Sequence, residues 1–262
     1  MTPEAQKIFN QIKRKTGKAI GDFNLIEEGD RIAVGVSGGK DSYILLHILE
    51  ALRKKAPIRF ELMAINIDSG FPDYRKEQIE NHLRRHHFNY QMVTTNSDQI
   101  IEEKLRPGTS YCAFCARLRR GALYSQADKY ACNKIALGHH LDDFIETLLL
   151  NQFYGGTLSA MAAKLQADNG KHTVIRPLVY TEEAEIQKFC NVYEFPIVNC
   201  SCPVAGQEDQ KRQRMKRLIK DLAEEIPEIR KSMIAAINNV HPHQLLDRNL
   251  SDSDKSGNIP DA

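Results

Sequence analysis

No apolar run in these 262 residues approaches the roughly 18 that a membrane-crossing helix needs. The opening stretch, MTPEAQKIFNQIKRKTGK, is amphipathic and lacks the apolar core of a signal peptide. A cytoplasmic protein with no membrane partner is therefore expected. An excess of either charge is also missing. The net charge is +2, which by itself argues for no nucleic-acid partner. Two nucleotide-binding signatures are absent. Without G-x-x-x-x-G-K-[ST] there is no Walker loop, and without G-x-G-x-x-G a dinucleotide fold has no support. No internal repeat is visible. Hydrophobic residues at 42% and charged residues at 27% are ordinary for a globular chain long enough for one domain with appendages.

What is present is an alternation of strand-like and helix-like segments. RIAVGV (31–36) is a short apolar run that reads as a buried strand. SYILLHILEALRKK (42–55) has helical spacing, with Ile44, Leu45, Ile48 and Leu52 on one face. Strands follow at 60–68, 90–95 and 134–138, separated by helices at 74–87 and 113–131. A helix at 142–153, a strand in TVIRPLVY (173–180), a helix at 182–193 and a last short strand in FPIVN complete the pattern. Such alternation predicts an α/β fold, an open parallel sheet covered by helices on both faces. Residues 1–28 form a leading helical segment, 29–206 the α/β domain, and 207–240 a basic helical C-terminal extension. Residues 241–262 are polar, carry Gly and Pro, and are expected to be a disordered tail.

The stretch SGGKDS (37–42) follows the first strand directly and opens a helix. Gly38 and Gly39 let the backbone come close to a ligand. Free N–H groups and the helix dipole favour an anion at that point, and Ser37, Lys40 and Ser42 add donors and charge. In this setting the six residues resemble the pyrophosphate loop of the N-type ATP pyrophosphatases, the PP-loop superfamily with its adenine nucleotide α-hydrolase-like fold. These enzymes adenylate a substrate and release pyrophosphate. Three further stretches agree. INIDSGF puts Asp68 at the end of the second strand, and ALGHHLDD puts Gly138, His139, Asp142 and Asp143 after the fourth. VIRPLVYTEEAEI puts Arg176 and Pro177 in or after the fifth. The resemblance implies ATP held by Ser37, Gly38, Gly39, Lys40, Asp41 and Ser42, with Asp68, Gly138 and His139 also at the nucleotide. It implies catalytic roles for Lys40, Asp41 and Asp143. Mg²⁺ prefers a few carboxylates plus phosphate oxygens, so Asp41 and Asp143 are its expected ligands, Asp143 first.

Six cysteines remain to be placed. Cys112 and Cys115 form a C-x-x-C, which alone suits a redox pair, half a zinc site or two packed thiols. No second C-x-x-C completes a four-cysteine zinc site. NCSCPVAG supplies Cys200 and Cys202. Cys132 and Cys190 sit at the ends of helix patterns and read as core thiols. A pyrophosphate loop with a central C-x-x-C and a late cysteine resembles the tRNA 2-thiocytidine synthetase family, from about residue 20 to about residue 225. Thiouridine synthetases of a related type carry extra zinc-finger C-x-x-C pairs, which this chain lacks. The tRNA-Ile lysidine synthetases share the loop without needing the cysteines.

The resemblance implies an ATP-dependent tRNA sulfurtransferase that turns cytidine 32 into 2-thiocytidine through an adenylated base. It implies a [4Fe-4S] cluster on Cys112, Cys115 and Cys202, with one iron open to a sulfur atom. Cys202 is preferred to Cys200 because the proline after it fixes the turn. The implied partners are the anticodon loop of tRNA, a cysteine desulfurase or sulfur relay protein, and a second copy of the chain in a homodimer. Lys211, Arg212, Arg214, Lys216, Arg217 and Lys220, with Arg117, Arg119 and Arg120 beside the cysteine pair, are the expected phosphate contacts. Another PP-loop sulfurtransferase or amidotransferase, or a non-catalytic metal-binding RNA protein, shares parts of this pattern. The second would bind RNA without turning over ATP.

Overall fold

The computed structural model describes residues 1–106, 108–168, 170–199, 201–204 and 210–246. Helix α1 (Pro3–Asp22) begins at Thr2, whose Oγ1 accepts the Ala5 N–H at 3.2 Å, with Pro3 preset for the first turn. It lies on the outside of the α/β unit and packs Phe9 against Phe189, with ring centroids 5.8 Å apart.

The sheet is built from β1 (Arg31–Gly35), β2 (Glu61–Asp68), β3 (Tyr90–Thr94), β4 (Lys134–Ala136), β5 (Lys164–Gln166) and β6 (Thr173–Ile175). Its order is β3-β2-β1-β4-β6-β5, and every pairing is parallel except the β5–β6 edge. The connecting helices are α2 (Lys40–Arg53), α3 (Lys76–Arg85), α4 (Ser97–Lys104), α5 (Tyr111–Lys129), α6 (Leu141–Leu150) and α7 (Glu183–Val192). Strand β1 shows why both faces need cover. Ile32 and Val34 enter a large core shared with α1, α2, α6 and α7, while Ala33 points the other way. There it meets Ile65, Ile67, Leu123 and Ala127, a second core closed by α5. A strand buried on both sides is a continuous apolar run, as RIAVG is. The fold class read from the sequence is the one observed.

The structure differs from the sequence reading in five places. FPIVN is not a strand: its Val198 N–H donates to Gly38 O at 3.0 Å, in the turn after β1. TVIRPLVY is strand only to Ile175, because Pro177 has no N–H for a ladder and disfavours extension beyond Arg176. Helix 142–153 stops at Leu150 and widens into a π turn, Asn151–Gly155, ended by Gly156 at φ 62°. Helix α4 and edge strand β5 were not anticipated at all. The basic extension forms α8 (Gln210–Glu225) and α9 (Ile229–Asn238), followed by a short turn at Pro242–Gln244. Of the expected tail, residues 247–262 lie outside the described residues. No helix among the described residues is long and apolar enough to cross a membrane.

At the end of the sheet away from the SGGKDS turn, Lys134 and Asp30 form a buried pair at 2.7 Å, each about 4% exposed. Asn133 and the Glu27 N–H complete the Asp30 carboxylate at 2.7 and 2.6 Å. Lys134 also reaches the half-exposed Glu27 Oε2 at 2.8 Å, so loss of Asp30 takes away its buried counter-ion and frees the Asn133 and Glu27 N–H donors. Asp30→Ala should cost about 3–5 kcal/mol in urea unfolding. Its effect on nucleotide binding by the folded protein should be slight.

Candidate active site

The strand order reverses between β1 and β4, and a crevice opens beyond the carboxyl ends of the strands there. The SGGKDS turn crosses it. Gly38 holds φ +87°, and a Cβ on it would meet Ile79 Cδ1 at 2.9 Å and Val198 Cβ at 3.1 Å. The turn keeps its shape with its own hydroxyls. Ser42 Oγ donates to Gly39 O at 2.8 Å and accepts the Ser37 N–H at 3.2 Å. No side chain caps α2, the arrangement that leaves its first amides to a ligand. On the β4 side, the first turn of α2 rests on Gly138, where a Cβ would lie 3.0 Å from the Asp41 carbonyl carbon and oxygen.

Charge is arranged around this turn in a chain. Lys40 Nζ lies 3.1 Å from Glu183 Oε1 and 3.3 Å from Asp41 Oδ2. Glu183 Oε2 in turn lies 2.6 Å from Lys216 on α8. Burial alone would raise the Glu183 pKa, but hydrogen bonds from Lys216 and Lys40 hold it at about 2. Asp41 Oδ1 is buried and accepts no hydrogen bond. Asp143 is more occupied. Its Oδ2 accepts the His140 N–H at 2.9 Å, capping α6, and its Oδ1 sits 3.9 Å from Arg212. Asp142 is structural: it accepts the Glu183 N–H at 2.7 Å and Arg230 Nε at 2.9 Å, joining α6 to α7 and α9.

Asp68 is buried at the end of β2 and accepts from Gly70 N–H, Lys76 Nζ and Thr94 Oγ1 at 2.9, 3.1 and 3.2 Å. It organises the strand end. His139 lines the crevice and accepts Arg176 Nε at 3.2 Å on Nδ1. Burial and the Arg176 charge push His139 down to about 4, so it is neutral at physiological pH. Glu146 was missed by the sequence reading. It is buried one turn beyond Asp143, and burial outweighs Arg212, 3.1 Å away, to push it up to about 7. As the third acidic residue of an otherwise largely apolar helix, it gave no sign of this in the sequence.

Two adjoining cavities make up the crevice, and both are lined by Ser37, Ile67 and Arg119. One, of about 280 Å³, has apolar walls from Val36, Ile65, Leu123 and Leu137, with Tyr124 and His139 at its edge. Its shape and chemistry suit a purine base. The other, of about 240 Å³, joins Gly39 to Cys115, Asn199 and Ser201. Cys115 is half-buried and Cys112, one turn earlier on α5, is exposed. Cys202 is buried directly after Ser201, whose Oγ is buried without a hydrogen-bond partner. Cys200 lies outside the described residues. The Cys190 and Cys132 thiols are pushed up by burial, Cys190 to about 11 with the Asp41 charge adding to the rise.

The basic helix α8 divides by face. Arg212 and Lys216 turn inward to Glu146 and Glu183, whereas Arg214, Arg217 and Lys220 are exposed. Arg119, one helical turn after Cys115 and among the expected phosphate contacts, lines the crevice.

Residues 6–201 match the family model of the PP-loop domain. The chain is 62% identical to a tRNA-cytidine(32) 2-sulfurtransferase of Syntrophotalea carbinolica, over 94% of this chain and 95% of that protein. It is 59% identical to the enzyme of the same name from Geotalea uraniireducens, over 93% and 97%. Among solved structures it resembles the U34-tRNA thiolase NcsA of Methanococcus maripaludis, described with its [4Fe-4S] cluster. The TM-score is 0.73 at 21% identity, over 89% of this chain and 78% of that one.

Two outcomes are expected from this geometry. Gly138→Ala should destabilise the protein by about 1–3 kcal/mol, because the neighbouring atoms are backbone and cannot rotate away. Urea unfolding measures it. For Glu183, the folded pKa of about 2 lies below the ordinary glutamate value of 4.5. Its stabilising contribution is therefore complete above about pH 4.5 and is lost as pH falls through about 2. A plot of wild-type minus Glu183→Gln stability against pH should fall across that window. A flat difference would show that the ion pairs do not act as described.

Proposed function

Because the chain belongs to the PP-loop family and, within it, to the tRNA-cytidine(32) 2-sulfurtransferases, we propose that it converts cytidine 32 of tRNA to 2-thiocytidine using ATP. The observation that carries the mechanism is the 240 Å³ cavity, where the phosphate turn and Cys115 share one space.

The adenine lies in the apolar slot and the β- and γ-phosphates lie on the turn, facing the α2 amides and Lys40. The C2 oxygen of the cytosine forms a bond to the α-phosphorus while the bond to pyrophosphate breaks. The base is then an adenylate. Fixed donors aimed at the charge developing on the phosphoryl group are the main source of rate, since they need no reorganisation. Mg²⁺ would be held by Asp41 and Asp143. The unpartnered Asp41 Oδ1 makes Asp41 the more available of the two. A sulfur nucleophile next forms the C2–S bond, the C2–O bond breaks, and AMP leaves.

The thiols fit a [4Fe-4S] cluster held by Cys112, Cys115 and Cys202. Thiolates are the usual ligands of such a cluster, and the buried, unpartnered Ser201 Oγ beside Cys202 marks a polar space at this wall. When bound, the cluster supplies an iron site at which sulfur can be held. Cys115 faces the turn, and Arg119, one helical turn on, stands between the two cavities. The exposed Arg214, Arg217 and Lys220 bind phosphates of the anticodon stem and loop, whose unstacked bases can reach a crevice. The sulfur comes from a cysteine desulfurase or a relay protein. Exposed Cys112 requires a reducing compartment, which the cytoplasm is.

The test separates the two half-reactions. Cys112→Ala, Cys115→Ala and Cys202→Ala should abolish 2-thiocytidine, read by mass spectrometry of tRNA nucleosides, while tRNA-dependent ATP consumption persists. Asp41→Asn should slow both by about 10²–10³-fold. Wild-type 2-thiocytidine from Cys202→Ala would transfer the third thiolate to Cys200. Undiminished thiolation in all three cysteine variants would overturn the mechanism.

A further inference from the structure

On the outer side of the sheet, away from the crevice, three histidines converge between α2 and α3. His47 comes from the middle of α2, and His82 and His86 lie one turn apart at the end of α3. One ligand nitrogen from each lies within 4.8 Å of the others, the one such grouping of three His, Cys, Asp or Glu among the described residues. His47 Nε2 and His82 Nε2 are 2.9 Å apart and share a hydrogen bond. Ring centroids are separated by 5.1 Å for His47–His82, 4.8 Å for His47–His86 and 4.5 Å for His82–His86. Phe88, Tyr193 and Phe195 surround His47, and Tyr43 stands edge-on to His82 at 4.8 Å.

We propose that His47, His82 and His86 bind one Zn²⁺ ion, with a fourth position left to water. Three features of the cluster support this. A helical H-x-x-x-H pair puts two imidazoles on one face, and a third from the next helix completes three corners of a tetrahedron. An all-imidazole set suits borderline transition ions and not the hard Mg²⁺ or Ca²⁺. The aromatic cup is the kind of apolar shell that limits water around a metal. Zn–N bonds of about 2.0–2.1 Å set tetrahedral nitrogens roughly 3.3–3.4 Å apart. The 2.9 Å pair must open slightly, and His86, the outermost ring, must close in. The proton in the His47–His82 hydrogen bond moves to Nδ1 of the ring that carries it, so both imidazoles stay neutral and each offers Nε2 to the ion. Exposed Arg85 and His87 oppose a cation here, an opposition that water and salt screen at exposed positions.

The site would pin α2, which begins at Lys40, to α3, which supplies Ile79 under Gly38. It would also fix Phe195, three residues before the Val198 that holds the turn. It is a brace behind the active site and takes no part in the sulfur chemistry.

The experiment uses the full-length chain carrying Cys112→Ser, Cys115→Ser, Cys200→Ser and Cys202→Ser, so that these thiolates do not compete. Zn²⁺ is titrated by calorimetry near neutral pH, and Co²⁺ is titrated with absorption detection. The expected result is one equivalent of metal, with Co²⁺ d–d bands of a four-coordinate nitrogen site and no thiolate charge transfer. His86→Ala, at the outer ring, should keep its far-UV circular dichroism and bind at least about tenfold more weakly. If the serine variant does not fold, the wild-type chain and His86→Ala are compared by thermal shift with and without Zn²⁺. Only the wild type should gain stability from the histidine site. No binding, or binding and stabilisation that His86→Ala leaves unchanged, would overturn the proposal. None of these readouts depends on tRNA thiolation.

Discussion

One backbone hydrogen bond, from the Val198 N–H to Gly38 O at 3.0 Å, holds together parts of the chain that the proposed chemistry needs side by side. The phosphate turn belongs to the first strand–helix unit. The late cysteine belongs to a segment beyond the last parallel strand. The Gly38 end of this bond has no room for a side chain. A Cβ at Gly38 would press on Ile79 and on Val198 itself. The second cavity exists because these two segments stop at contact distance and α5 brings Cys115 to the remaining side.

Local chemistry was legible and long-range docking was not. SGGKDS could be read because its requirements are all within one turn: a preceding strand, a glycine with positive φ and an uncapped helix start. The parallel sheet could be read because strands buried on both faces are apolar throughout. FPIVN misled because its composition is that of a strand, while its amide goes to a loop carbonyl that only the folded chain presents. Strand β5 is three residues long and owes its form to β6 beside it. Periodicity has too little to work on there.

The same distinction runs through the carboxylates. Asp41, Asp68, Asp142 and Asp143 look equivalent in sequence, each at a strand end or helix start. The folded chain gives them different partners. Asp68 and Asp142 are surrounded by donors, Asp143 caps a helix, and Asp41 keeps a bare oxygen. The basic run of α8 likewise separates into an inner face that neutralises Glu146 and Glu183 and an outer face open to solvent. Counting charges along the chain cannot make that division, because it depends on which side Met215 and Ile219 bury.

Glu183 stands between Lys40 of the turn and Lys216 of α8. It is a counter-ion held in common by two binding surfaces. An anion on the turn that draws Lys40 away leaves the carboxylate to Lys216 alone and tightens α8 onto α7. A polyanion on α8 that draws Lys216 away has the converse effect on Lys40. By thermodynamic reciprocity the two ligands must alter each other's affinity by the same factor. The chain thus has, in one glutamate, a means for nucleotide occupancy to be felt at the basic helix without any movement of the sheet.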